Sequence, residues 1–163
     1  MPASRPRRPD FAFMAPRLSR WIALGCGSGL SPIMPGTVGT LWAWLVFVLL
    51  DPFLSDLAWG ALIVGGFGLG IWACERTARD LGVSDPGCLV WDEVVAFWAV
   101  LLMVPGSLGM QIAAFFLFRF FDIVKPPPIR VIDRSVRGGL GVMADDLVAA
   151  AFTVLVLALW VRA

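Results

Sequence analysis

Histidine is absent from the 163 residues. That removes the commonest general base and the commonest metal ligand, so any chemistry here runs on carboxylates, hydroxyls, Lys, Arg or a bound metal. Cysteine is scarce. Cys26, Cys74 and Cys88 are odd in number, show no CxxC spacing and sit among apolar residues, so they read as small hydrophobes rather than ligands or a disulfide framework. Charge is scarce too, at 15% of residues against about 25% in average chains. With a net charge of +1 and no basic stripe interleaved with aromatics, the chain carries no footprint for nucleic acid. Internal repeats and low-complexity segments are also missing.

What is present is apolar. Hydrophobic residues make up 59% of the chain before its 17 glycines are counted, and the mean hydropathy is +0.83. This is a membrane-protein composition, and the length suits one domain. Residues 1–20, with five Arg and one Asp, read as a basic, disordered cytoplasmic tail, and 21–163 as a single membrane-embedded domain. The apolar run before Cys26 is only WIAL, too short for a secretory signal. Five apolar stretches follow, at Leu41–Leu50, Leu57–Cys74, Val94–Val104, Leu108–Phe118 and Leu147–Val161. They predict an all-α, multi-helix integral membrane bundle. The third and fourth are short, and read as spans, as a kinked hairpin dipping into the bilayer, or as helices buried against neighbours. Twelve of the thirteen bases lie in the tail, in 75–93 and in 119–146. Because bases favour the cytoplasmic side, five crossings that begin inside gather all three polar stretches at the cytoplasmic ends of the helices.

The first polar stretch, GCGSGLSPIMPGTVGT at 25–40, has the glycines and hydroxyls of a phosphate cradle. No Lys follows the glycines as in a Walker loop, and no strand precedes them as in a dinucleotide fingerprint. A re-entrant turn packed on membrane helices is the plainer reading. The second, DPGCLVWDEVV at 85–95, sets Asp92 and Glu93 at the start of an apolar helix. The helix dipole favours them there by about 0.3–1 kcal/mol, but a charge at the membrane boundary asks for a partner or a function. Glu75/Arg79 and Arg76/Asp80 are i,i+4 pairs that suit an exposed helix face. The third stretch, 119–146, packs five bases and four acids into 28 residues. Arg119, Asp122 and Lys125 step by three along one helix face, Pro126–Pro128 end that helix, GlyGlyLeuGly turns the chain, and Asp145–Asp146 open the last apolar helix. Gathered together, Asp92, Glu93, Asp122, Asp145 and Asp146 repel unless a cation neutralises them, and oxygen ligands without His or Cys point to Mg²⁺. The bases then hold an anion, a phosphate. Interfacial anchors and plain ion pairs are the bland alternative.

The segments GSGLSPIMPGTVGT, DPGCLVWDEVV and FRFFDIVKPPPIRVIDRSVRGGLGVMADDLVA, in this order, closely resemble the phosphatidylglycerophosphatase A family from about Gly25 to Ala150. The resemblance implies an all-α, Mg²⁺-dependent phosphatase of the cytoplasmic (inner) membrane, multi-pass, with its active site facing the cytoplasm. Its substrate would be a phospholipid in the membrane, phosphatidylglycerophosphate, converted to phosphatidylglycerol and phosphate on the route to cardiolipin. Asp92, Glu93, Asp122, Asp145 and Asp146 then supply metal ligands and the base for an attacking water. Arg119, Lys125, Arg130 and Arg134 grip the phosphate, Ser28 and Thr37 bind it through backbone or hydroxyl, and Asp133 joins them or orients Arg137. No Cys has an Arg six residues on, DxDx[TV] is absent, and a His nucleophile is impossible, so other phosphatase chemistries do not fit. A phosphatidyl transferase would show spaced Asp residues with DG and AR dipeptides. A non-enzymatic carrier would place charges at mid-depth of its helices.

Overall fold

Each of the five apolar stretches is helical in the computed structural model, which describes residues 8–83 and 86–162, with the backbone alone at 132–134. The helices are α1 (Phe11–Met14), α2 (Leu18–Ala23), α3 (Pro35–Leu50), α4 (Asp56–Leu81), α5 (Trp91–Met103), α6 (Leu108–Val124), α7 (Ile129–Ser135) and α8 (Gly138–Arg162). Among the described residues there is no strand, so the protein is all-α as its composition predicts. Local chemistry closes the helix ends. Ser55 and Ser107 cap α4 and α6 by accepting from Ala58 N and Met110 N. Gly82 and Lys125 end the same helices in left-handed conformations, and Pro126 forbids continuation of α6.

Apolar residues surround α5, and a helix that is hydrophobic all round is a buried one. It packs against α3, α4 and α8, with Val94, Val95, Phe97, Val100 and Leu101 buried. Four tryptophans tie the bundle, and each indole N–H finds an acceptor. Trp98 Nε1 donates to Ala43 O at 2.9 Å, Trp91 Nε1 to Gly66 O at 2.9 Å, Trp44 Nε1 to Gln111 Oε1 at 2.7 Å and Trp59 Nε1 to Asp51 Oδ1 at 3.2 Å. Where α4 and α8 meet, glycine sets the spacing. A Cβ on Gly70 would lie 2.6 Å from Met143 Sδ, and one on Gly139 would strike the Ile71 carbonyl.

Three helical segments are long and apolar enough to cross a membrane: Pro35–Phe53, Asp56–Leu81 and Gly138–Arg162. The rise of 1.5 Å per residue makes the 13 residues of α5 about 20 Å long and the 17 of α6 about 26 Å, short of a hydrocarbon core of about 30 Å. Three candidate spans therefore stand where five crossings were expected, and α5 takes the buried alternative. Large apolar side chains face outward from the bundle, including Leu45, Val48, Leu49, Leu57, Val64, Phe116, Leu155 and Leu159. That is the surface of a membrane protein.

Two other expectations change. Residues 8–20, read as part of a disordered tail, include α1 and the first half of α2, where Asp80 binds both Arg17 and Arg20 at 2.9 Å and the Arg20 guanidinium stacks 3.9 Å over Phe13. Asp80 thus pairs with the N-terminal helices, while Glu75 and Arg79 form the expected i,i+4 pair. The GlyGlyLeuGly segment is not a turn. Gly138, at φ +73°, begins α8, so Asp145 and Asp146 lie seven or more residues inside that helix.

Candidate active site

Four helix ends converge at one end of the bundle: the starts of α3 and α5, the end of α6 and the first third of α8. The entry to α5 is held from both sides. Val90 N donates to Ala23 O at 2.9 Å, and the fully buried Val90 side chain is wedged between Gly25 and Gly39. This fixes Asp92 and Glu93 in the first turn of α5, facing Asp146 across the core. One carboxylate oxygen from each of the three lies within 4.8 Å of the others. Asp92 Oδ1, Glu93 Oε2 and Asp146 Oδ2 are buried with no hydrogen-bond partner among the described residues.

Buried carboxylate oxygens without partners are costly. Burial pushes the Asp92 carboxyl well above the ordinary carboxylate range, helped by the adjacent charge of Glu93. Burial likewise raises Glu93 to about 7, with the charge of Asp122 adding to it. An all-oxygen set gathered this closely, with buried oxygens lacking partners, fits a hard divalent cation, which would remove the repulsion and supply the missing partner. Asp92, Glu93 and Asp146 are the residues that would hold it.

The three acids line a cavity of about 520 Å³, together with Asp122, Asp145, Lys125, Arg137 and the backbone around Gly138 and Gly141. Lys125 forms an ion pair with Asp145 across the cavity. All five carboxylates named from the sequence thus meet in one place, and Lys125 joins them.

The other expected phosphate contacts lie elsewhere. Arg119 is not on the cavity wall; its Nη1 donates to Asp122 Oδ2 at 2.6 Å and to Glu93 Oε1 at 3.4 Å. Arg130 is exposed and donates to the Val124 carbonyl at 3.2 Å. Ser28 donates to its own turn, at Gly25 O, 2.9 Å away. Thr37 Oγ1 is buried in the first turn of α3 and has no partner among the described residues. The side chains of Asp133 and Arg134 lie outside the described ones. Arg137, named from the sequence only as a group for Asp133 to orient, lines the cavity itself. One feature escaped sequence reasoning. Gly36 abuts Glu93 Oε1, a contact that no local pattern announces.

A family model described as PgpA, Phosphatidylglycerophosphatase A, matches residues 21–161. Phosphatidylglycerophosphatase A of Escherichia coli (strain K12) is 43% identical over 148 residues, covering 88% of this chain and 86% of that protein. The protein of the same name from Haemophilus influenzae is 44% identical over 137 residues, 83% of each chain. A Bacteroides thetaiotaomicron protein, provisionally named a phosphatidylinositol-3-phosphatase, is 41% identical over 165 residues, 95% of this chain and 98% of its own. No solved structure matches significantly.

Proposed function

The chain belongs to the phosphatidylglycerophosphatase A family, and from that premise we propose that it hydrolyses phosphatidylglycerophosphate, with water, to phosphatidylglycerol and inorganic phosphate. The family makes it a phosphatase acting on a phosphoester. The Mg²⁺ requirement, the place of the step on the route to phosphatidylglycerol and cardiolipin, and the inner-membrane location belong to this proposal. The observation that carries it is the trio of partnerless carboxylate oxygens on Asp92, Glu93 and Asp146 at a cavity edged by Lys125 and Arg137.

When bound, Mg²⁺ supplies charge neutralisation at the phosphoryl oxygens and lowers the pKa of a coordinated water. The chain's own residues do the rest. Asp92, Glu93 and Asp146 hold the cation. Asp122 and Asp145 frame the cavity, each steadied by a base, and a carboxylate of this set takes the proton of the attacking water. Lys125 and Arg137 face the incoming phosphate. We place the membrane spans at α3, α4 and α8, with α5 and α6 as a helical hairpin entering and leaving on the cavity side. That arrangement puts the basic segments and the cavity on the cytoplasmic face, as loop charge favours. The acyl chains then stay in the bilayer while the terminal phosphate reaches the acids.

The name of the Bacteroides relative favours a second reading, in which another lipid phosphomonoester is the substrate. One experiment addresses both. Protein purified in detergent is given phosphatidylglycerophosphate or phosphatidylinositol 3-phosphate, with Mg²⁺ or with chelator, and released phosphate is measured. Mg²⁺-dependent release from the first lipid, well above the second, is expected. Faster turnover of the second reverses the choice, and release unaffected by chelation removes the metal from the mechanism.

A further inference from the structure

The glycine-rich first motif is the sequence feature that the phosphatase reading leaves without a task. Its glycines do not line the carboxylate cavity. Gly25, Gly29, Gly36 and Gly39 face residues 88–93 instead. A Cβ on Gly29 would meet the Cys88 carbonyl, and one on Gly39 would lie 2.7 Å from Val90 Cβ. On Gly36 it would run into Glu93 Oε1 and come within 3.1 Å of Arg119 Nη2. Gly36 is thus the point at which the first motif touches both the second and the third.

Arg119 stands at that point. Its side chain is only 12% exposed, its Nε has no partner among the described residues, and its Nη1 is shared between Asp122 Oδ2 and Glu93 Oε1. A guanidinium that grips substrate phosphate has to present N–H groups to the cavity; this one presents them to two carboxylates behind it. We infer that Arg119 is a positioning residue. It turns Glu93 and Asp122 so that their remaining oxygens face the cavity, and Gly36 supplies the space in which guanidinium, carboxylate and the start of α3 meet. The inference rests on the metal-phosphatase reading of the same site. A planar fork with fixed N–H directions suits this task better than an ammonium, which holds charge but not angle. Groups that orient metal ligands typically control about 10- to 100-fold in metal affinity.

The test is metal binding by the full chain in detergent, without substrate, with Mn²⁺ as the probe and its free resonance signal as the readout. Arg119→Gln and Gly36→Ala are each expected to weaken Mn²⁺ binding about 10- to 100-fold. Arg119→Lys, which keeps the charge and spares the fold, should fall between them and the unsubstituted protein. At saturating metal, kcat should drop in Arg119→Lys while KM for the lipid stays put. Mn²⁺ affinity unchanged in Arg119→Lys and Arg119→Gln, with a raised KM and weaker inhibition by inorganic phosphate, overturns the inference and returns Arg119 to the phosphate. Unsubstituted protein that binds no Mn²⁺ overturns the metal reading first and this inference with it.

Discussion

Replacing Asp92 by Asn separates what the carboxylates do for stability from what they do for turnover. Oxygens of Asp92, Glu93 and Asp146 sit within 4.8 Å of one another. At an effective dielectric constant of about 20, two unit charges at such a separation repel by roughly 3–4 kcal/mol. The metal-free protein escapes part of this by keeping protons on the cluster, as the raised Asp92 and Glu93 show. The net relief from deleting one charge is therefore smaller, about 1–3 kcal/mol. An Asn amide also donates, giving a neighbouring oxygen the partner it lacks. At about 2–4 °C per kcal/mol for chains of this length, Asp92→Asn in chelator should melt roughly 3–10 °C above the unsubstituted protein. Mg²⁺ should then raise the melting temperature of the unsubstituted protein and leave the variant where it was, while lipid-dependent phosphate release falls to background. Thermal unfolding in detergent, with and without Mg²⁺, beside a phosphate assay, reads all three. A variant that melts below the unsubstituted protein in chelator, or that keeps its Mg²⁺-dependent turnover, refutes the assignment of Asp92 to a cation site.

Three further outcomes are expected. Without metal, the contribution of Glu93 to stability should be full below about pH 4.5 and be lost as pH rises through about 7, since folded Glu93 keeps a proton that its unfolded form, at the ordinary value of 4.5, has lost; saturating Mg²⁺ should flatten that decline, and melting curves between about pH 4.5 and 8 check both. Gly139→Ala sets a methyl against the Ile71 carbonyl and should cost about 1–3 kcal/mol or more, whereas Gly65→Ala, with open space around its Cβ on an exposed helix face, should be neutral or gain about 0.5–1 kcal/mol; equal losses in thermal unfolding would contradict the α4–α8 packing. Asp80→Asn removes the carboxylate charge that holds Arg17 and Arg20, so trypsin should cut after Arg17 sooner than in the unsubstituted protein while global melting moves little, because exposed ion pairs contribute about 0–1 kcal/mol.

The parts of the molecule legible in the sequence are those governed by short range. Apolar runs gave the positions of α3 to α6 and α8, and Pro126 marked the end of α6. The acids at 92–93, 122 and 145–146 were recognisable because a charge is expensive in so apolar a chain, and all of them line one cavity. What escaped depends on partners far along the chain. Asp80 has Arg76 four residues away and a helical reason to pair with it, yet Arg17 and Arg20 take it. GlyGlyLeuGly has turn composition, yet it begins a helix whose Gly139 packs against the Ile71 carbonyl of α4. Arg beside Asp, as at 119 and 122, is compatible with gripping a phosphate or with holding carboxylates, and the contact with Glu93 depends on where α5 lies against α6.

Burial inside the bundle is how a chain so poor in charge keeps five carboxylates in one place. On a lipid-facing helix an acid costs about 2.5–3.5 kcal/mol at mid-membrane. Here Asp92 and Glu93 start α5, which packs against α3, α4 and α8, and Asp145 and Asp146 lie on the buried face of α8, while Arg119 reaches Glu93 and Asp122 and Lys125 pairs with Asp145. Shielding alone does not balance the cavity, whose wall carries five acids against two bases, Lys125 and Arg137. A phosphate monoester is itself close to a dianion at neutral pH. It would be repelled by these walls as strongly as the acids repel each other, so it enters a cavity whose carboxylates have already been neutralised. On the proposed reading, the excess of acids over bases, more than any single residue, is the reason a phosphate substrate would call for a cation at this site.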